Sequence, residues 1–177
     1  MSGYVVGYKE LDDRLKAMSE VDLRQGLRQS VMLVEQVAKA GAPAHDGQLR
    51  GSITSWVEQN ENGMRGICAA NAAYAMYVEF GTGQRGAMDH SGISPNVTPA
   101  YTLEPWWIHE GDGPNEISRQ TAEYYHFPFI ETEQGRFYRC TGQPANPFMY
   151  QAFKACEEEI TNIMRRKVKE QIDNATG

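Results

Sequence analysis

The residues best suited to chemistry lie between positions 89 and 112, where imidazole and carboxylate side chains cluster. They are Asp89, His90, His109, Glu110 and Asp112. Both residue types are common ligands of metal ions that activate water for hydrolysis. Their spacing matches neither HExxH nor another pattern that places two ligands on one helix face. The cluster therefore indicates a solvated acidic loop, and a small metal-dependent hydrolase built on His109, Glu110 and Asp112 is the alternative.

The other candidates for catalysis lack a partner group. A cysteine nucleophile needs a nearby base, but Cys68, Cys140 and Cys156 fall in predicted strands or on the apolar face of a predicted helix. The Gly81-Thr82-Gly83 sequence is not followed by Lys-Ser/Thr, and GxGxxG is absent. We therefore predict no catalytic residue, no cofactor and no metal site.

Composition limits the classes of protein that remain. The chain has 177 residues, of which 41% are hydrophobic and 23% are charged, and we predict a single domain over residues 1–177. No apolar run approaches the roughly 20 residues that span a bilayer, so no membrane partner is expected. The formal net charge of −6 disfavours broad nonspecific DNA binding, which depends on clustered Lys and Arg. The three widely spaced cysteines predict reduced, mostly buried thiols.

Helical patterns lie near both ends of the chain. Apolar residues recur at helical spacing from Leu23 to Ala38, with Ser19 placed to cap the helix and Gly41 to end it. A second long helix follows residue 146 and carries acidic residues early and basic residues late, the order that the helix dipole favours. We expect Asn146 as its N-cap and Pro147 as its first residue.

Strand patterns fill the region between these helices. After a predicted loop over residues 45–51, residues 52–58 and 64–70 form a hairpin whose turn contains Asn62-Gly63. Two further strands are predicted over residues 124–130 and 136–140, around a turn at 133–135. The predicted fold is α+β, with a small antiparallel sheet packed by a long N-terminal and a long C-terminal helix.

A central stretch, Ala72–Gly83, connects the first hairpin to an unusual insertion. It predicts a short helix that ends at Gly81, where glycine permits positive φ. Residues 84–123 then hold four of the eight prolines, and they contain two arginines against six acidic residues. We expect an extended, proline-rich, acidic loop that carries Trp106 and Trp107 as a possible intersubunit arm.

Three segments together carry a resemblance to a known family. They are GQLRGSI at 47–53, YAMYVEFGTG at 74–83 and PANPFMYQAF at 144–153. In this order they resemble the tailed-bacteriophage head–tail joining family, also described as neck, tail-completion or tail-component proteins. The family pattern is G-x-L-x-x-S-I, then Y-A-x-Y-V-E-F-G-T, then P-x-P-F before a long terminal helix. The long insertion departs from this pattern.

The resemblance implies a structural virion protein that forms a homo-oligomeric ring of 6 or 12 copies at the neck. It implies neighbouring neck, connector and tail proteins as partners, DNA passing through the ring without sequence-specific binding, and assembly in the host cytoplasm. A tail terminator or head-closure ring is the alternative. The motif positions carry over as structural: Leu49, Ser52, Ile53, Tyr74, Tyr77, Glu79, Phe80, Gly81, Thr82, Gly83, Pro147 and Phe148. Among them, Tyr77 and Phe80 are expected to pack, and Glu79 to fix the turn or an intersubunit contact.

Overall fold

The computed structural model describes residues 9, 12, 16, 22–43, 47–61, 63–111, 119–124 and 126–176. The helices and strands of this part are α1 (Arg24–Gly41), α2 (Gln48–Ser52), β1 (Ile53–Asn60), β2 (Gly63–Ala70), α3 (Ala75–Phe80), α4 (Gly83–Met88), β3 (Trp106–His109), α5 (Arg119–Tyr124), β4 (Phe129–Thr132), β5 (Gly135–Cys140), β6 (Gly142–Gln143) and α6 (Phe148–Thr176). The α+β class is as predicted.

Two antiparallel sheets are present where one was predicted: β1-β2, and a three-stranded sheet in the order β3-β5-β4. The chain also divides into two compact units. Unit one comprises residues up to Ala72 together with Gln151 onward, and unit two comprises Ala73–Tyr150. The single domain predicted for residues 1–177 stays a prediction.

In unit one, α1 packs on the β1-β2 hairpin. Its buried residues Ser30, Val31, Val34 and Ala38 recur at helical spacing and form one face. Gly26, also on this helix, lies against α6, where an added Cβ would come within 2.8 Å of the Met164 sulfur. The glycine therefore allows two helices to approach closely, which offsets its poor helix propensity.

The hairpin of unit one is close to its prediction, whereas the segment before it is not. Ile53 pairs with Ala70 and Asn60 with Gly63, so the turn falls between Asn60 and Gly63, while Asn62 lies outside the described residues. The predicted loop over 45–51 is wrong for residues 48–51, which belong to α2, and Ser52, predicted to begin the strand, ends that helix. Gly47 starts this helix with a φ of 81°, a conformation that glycine adopts without steric cost.

The start of α1 lies later than the predicted cap. The Ser19 cap falls outside the described residues, and Leu23 precedes the first helical residue without a side-chain cap. The Arg24 amide instead donates a 2.9 Å hydrogen bond to the Asp22 side chain.

In unit two, the expected loop over residues 84–123 contains regular secondary structure, which corrects the prediction. It contains α4, β3 and α5. The β3 strand pairs with β5, and Trp106 lies opposite Cys140 while Trp107 lies opposite Arg139. The predicted strand at 124–130 is also wrong at its start, since Tyr124 ends α5 and β4 covers only Phe129–Thr132.

The last helix begins at Phe148, one residue later than predicted. Pro147 therefore precedes the helix. The Phe148 amide donates to the Asn146 carbonyl at 2.8 Å. This start of α6 is where the candidate site lies.

Candidate functional site: the α3 turn and its exposed aromatic face

The carboxylate of Glu79 accepts hydrogen bonds from the first turn of α6. The Met149 amide donates to Oε2 at 2.9 Å and the Tyr150 amide donates to Oε1 at 3.0 Å. These amides belong to the group at a helix start that has no partner within the helix. An anion is also favoured there by the helix dipole. Glu79 therefore caps a helix that begins about 70 residues further along the chain.

Burial and hydrogen bonding act on Glu79 in opposite directions. Only 7% of the residue is exposed, and this desolvation raises the pKa of its carboxyl. The amides of Met149 and Tyr150 lower the same pKa by stabilising the charged form. The result is a raised pKa, because burial is the larger effect. Glu79 is one of two buried polar residues found in the described chain, the other being Ser30.

The carbonyl groups at the end of α3 are also bound by residues outside that helix. The Gln143 side-chain amide donates to the Tyr77 carbonyl at 2.9 Å, and the Asn146 amide donates to the Val78 carbonyl at 2.8 Å. The Tyr101 hydroxyl donates to the Phe80 carbonyl at 2.7 Å. Together with the Glu79 cap, these bonds fix α3 against the segment that leads into α6.

Gly81 ends α3 in a conformation that suits glycine. Its φ is 76°, and an added Cβ would lie 2.7 Å from the Ala145 nitrogen. Thr82, which follows it, accepts a 3.2 Å hydrogen bond at its hydroxyl from the Gln143 amide. Thr82 and Gly83 also form isolated antiparallel bridges with Gln143 and Gly142. The prediction of a short helix ending at Gly81 is therefore confirmed.

The aromatic side chains of the same motif are largely exposed. Tyr77 is 54% exposed and Met76 59%, and Tyr74 beside them is also exposed. Tyr77 was expected to pack, yet within this chain more than half of its surface is open. Phe80 is half-buried. The motif thus buries its carboxylate while Tyr74 and Tyr77 remain exposed, the reverse of the usual distribution.

The two tryptophans of the expected arm lie on a strand at a sheet edge. Trp106 and Trp107 begin β3, which pairs on one side with β5. Both remain exposed, and their side chains point to opposite faces because successive residues alternate along a strand. An edge strand offers main-chain groups for further pairing.

The remaining motif positions have structural contacts. Leu49 and Ile53 are buried in unit one, and the Ser52 hydroxyl donates to the Leu49 carbonyl at 2.8 Å. In unit two, Phe148 is buried at the start of α6, directly after Pro147. These residues stabilise the two units rather than forming a surface.

The proposed hydrolase ligands have other partners. Glu110 accepts two hydrogen bonds from Arg119, at 2.9 and 3.0 Å, and this pairing holds the pKa of Glu110 below its usual value. The His109 Nε2 lies 2.7 Å from the Gln134 carbonyl. Asp112 lies outside the described residues. Within the described residues, no three His, Cys, Asp or Glu side chains are grouped so that they could hold a metal ion.

The aromatic motif could be recognised from the sequence, but the helix cap could not be assigned from it. A carboxylate in the last turn of α3 opposes the dipole of its own helix. That unfavourable position is a sequence signal that Glu79 has a partner elsewhere, although it does not identify α6.

Residues 9–81 match the model of a family described as "Bacteriophage HK97-gp10, putative tail-component". The resemblance to a tailed-phage family is therefore confirmed for a segment that includes the first two motifs, up to Gly81. No curated protein and no solved structure gave a significant match. Among the described residues, no helix is long and apolar enough to cross a membrane.

Proposed function

We propose that this protein is a structural component of a phage virion that forms a ring at the neck and joins the head to the tail. The match of residues 9–81 to a phage tail-component family supports the general role. The neck position, the ring and the passage of DNA through it are our proposal. A tail terminator or a head-closure ring is the second candidate.

The exposed face of α3 is the observation that carries the proposal. Tyr74, Met76 and Tyr77 lie within four residues and are all exposed, while the Glu79 cap and the Gly81 turn hold their backbone in place. Tyrosine and methionine are enriched at the centre of protein interfaces. A fixed helix with this surface is suited to contact a second copy or a neighbouring virion protein, and repeated contacts between unlike surfaces close into rings.

Self-association of the purified protein tests the proposed surface. We expect Met76→Gln with Tyr77→Ser to weaken association about tenfold or more, because truncating one of the few residues that dominate an interface costs about 2 kcal/mol or more. Met88→Gln is the matched control, since Met88 is 86% exposed in the same unit. Analytical ultracentrifugation should show weaker association of the double variant than of the control. The melting temperatures of both variants should equal that of the wild type. Equal association of both variants would refute the α3 interface.

Electron microscopy of phage lacking this protein separates the candidate positions. A neck protein should leave filled heads and finished tails that remain unjoined. A tail terminator should leave tails of uncontrolled length, and a head-closure protein should leave heads that have lost their DNA. Normal, infectious particles would contradict all three.

A further inference from the structure

A pocket of about 540 Å³ in unit two is unassigned by the function proposed above. The residues that line it include Arg85, Trp106, His126, Pro128, Arg139 and Thr141. Among the lining residues that the structure describes, two are arginines, one is a histidine and none is acidic. The pocket therefore has the charge that favours an anionic group.

The main-chain amides of the two arginines form hydrogen bonds, whereas their side chains have no partner in the described part of the chain. The Arg85 amide donates to the Thr141 carbonyl at 3.2 Å, and the Arg139 amide donates to the Pro128 carbonyl at 2.8 Å. Both acceptors also line the pocket. Within the described part of the chain, neither guanidinium has an ion pair or a hydrogen bond. Such groups are suited to bind carboxylates through paired hydrogen bonds.

A strained residue lies in the same wall. His126 has a φ of 52°, a left-handed conformation that is strained for a non-glycine residue and is associated with ligand sites. This residue adds a histidine to the lining beside the two arginines.

Unit one carries an acidic surface that matches this pocket. The sequence contains one run of three consecutive acidic residues, Glu157–Glu159, and all three are exposed on α6. Glu157 pairs with Lys154. Across the described residues, Glu158 and Glu159 form no ion pair. The net charge of −6 makes a protein carboxylate a more suitable partner than a nucleic-acid phosphate.

We propose that the Arg85/Arg139 pocket of one copy binds the Glu158/Glu159 surface of the next copy. This inference rests on the proposed self-assembly and specifies a contact for it. The two surfaces differ and one chain carries both, so the contact is head-to-tail and can be repeated around a ring.

Charge reversal on each side tests the contact. Variant one is Arg85→Glu with Arg139→Glu, and variant two is Glu158→Lys with Glu159→Lys. Each alone should associate about tenfold or more weakly than the wild type, because like charges then face each other. A one-to-one mixture should regain association, since every pocket can then meet an oppositely charged helix in an alternating ring. The control pair is Arg50→Glu and Glu61→Lys, which reverses exposed charges outside both surfaces.

The outcomes separate this contact from self-assembly itself. Association that is unchanged in both variants, or that the mixture does not restore, overturns the pocket contact and leaves the ring proposal standing. A wild-type protein that stays monomeric at millimolar concentration counts against both. Titration with inorganic phosphate, followed by Trp106 fluorescence in a Trp56→Phe, Trp107→Phe background, adds one more outcome. Phosphate binding without rescue in the mixture would identify a phosphate site and refute the assignment to a second copy.

Discussion

Glu79 and Met149 are joined by a 2.9 Å hydrogen bond from the Met149 amide to the Glu79 carboxylate. The bond connects the last turn of a six-residue helix to the first turn of a 29-residue helix. The motif that contains Glu79 therefore has an internal structural role in addition to its exposed tyrosines.

Removing this cap should destabilise the protein. We expect Glu79→Ala to lower the free energy of unfolding by about 2–3 kcal/mol, because two partly buried amides at the start of α6 lose their acceptor. Glu79→Gln, which keeps one oxygen and the shape of the side chain, should cost about 1 kcal/mol. Urea denaturation followed by circular dichroism measures both. If the free energy of unfolding of Glu79→Ala lies within about 0.5 kcal/mol of the wild-type value, the cap does not contribute to stability.

The turn after α3 should accept no side chain at Gly81. We expect Gly81→Ala to lower the free energy of unfolding by more than about 2 kcal/mol, because the positive φ and the contact with the main chain at Ala145 both oppose a Cβ. Gly51→Ala is the control, since an added Cβ there meets no atom within 4 Å. That variant should be neutral or stabilised by up to about 1 kcal/mol. Equal melting temperatures for the two variants would show that the turn is more adaptable than its geometry indicates.

Glu35 should make stability dependent on acid pH. Its carboxylate accepts hydrogen bonds from Lys39 at 2.6 Å and from the Ser55 hydroxyl at 2.5 Å. These bonds lower the pKa of Glu35 from its ordinary value of 4.5, and the bond from Lys39 has the largest effect. A lowered pKa means that the stabilisation is present above pH 4.5 and is lost as the pH falls through the lowered pKa.

The Glu35→Gln variant isolates this effect. It should be about 1 kcal/mol less stable than the wild type at pH 7, and the difference should shrink steadily as the pH drops below 4.5. Urea denaturation across this pH range provides the measurement. A difference that stays constant with pH would exclude Glu35 ionisation as its cause.

The thiols should react slowly in the folded protein. Burial is the main cause that raises the pKa of Cys68 to about 11, and burial also raises the pKa of Cys140 and Cys156. At pH 8 about one thousandth of Cys68 is then thiolate, the form that reacts with iodoacetamide. Mass spectrometry should find little modification in buffer and three modified cysteines in urea. Rapid labelling of Cys68 in buffer would contradict its burial.

Local patterns predicted the parts of the fold whose causes are local. The end of α1 at Gly41, the β1-β2 hairpin and the Gly81 stop each follow from residue types within a few positions. The contacts of β3 were not predictable in this way. Trp106–His109 form a strand because they pair with β5, which lies about 30 residues later and gives no signal near the tryptophans.

The candidate site was also predicted only in the parts whose causes are local. The aromatic motif and its glycine were found because their residue types are unusual together. The partner of Glu79 was not predicted, since nothing near position 79 indicates a helix that starts at Phe148. The missing information was tertiary in each case, and residue spacing alone does not contain it.

The separation between Glu79 and its partner also affects when unit two can be completed during synthesis. The two groups lie 70 positions apart, which corresponds to roughly 4–14 s at ordinary rates of translation. Throughout that interval the nascent chain has no α6 amide to offer, so the carboxylate must remain hydrated. The turn that presents the exposed aromatic face is therefore fixed only late in translation, when most of the chain has already been made.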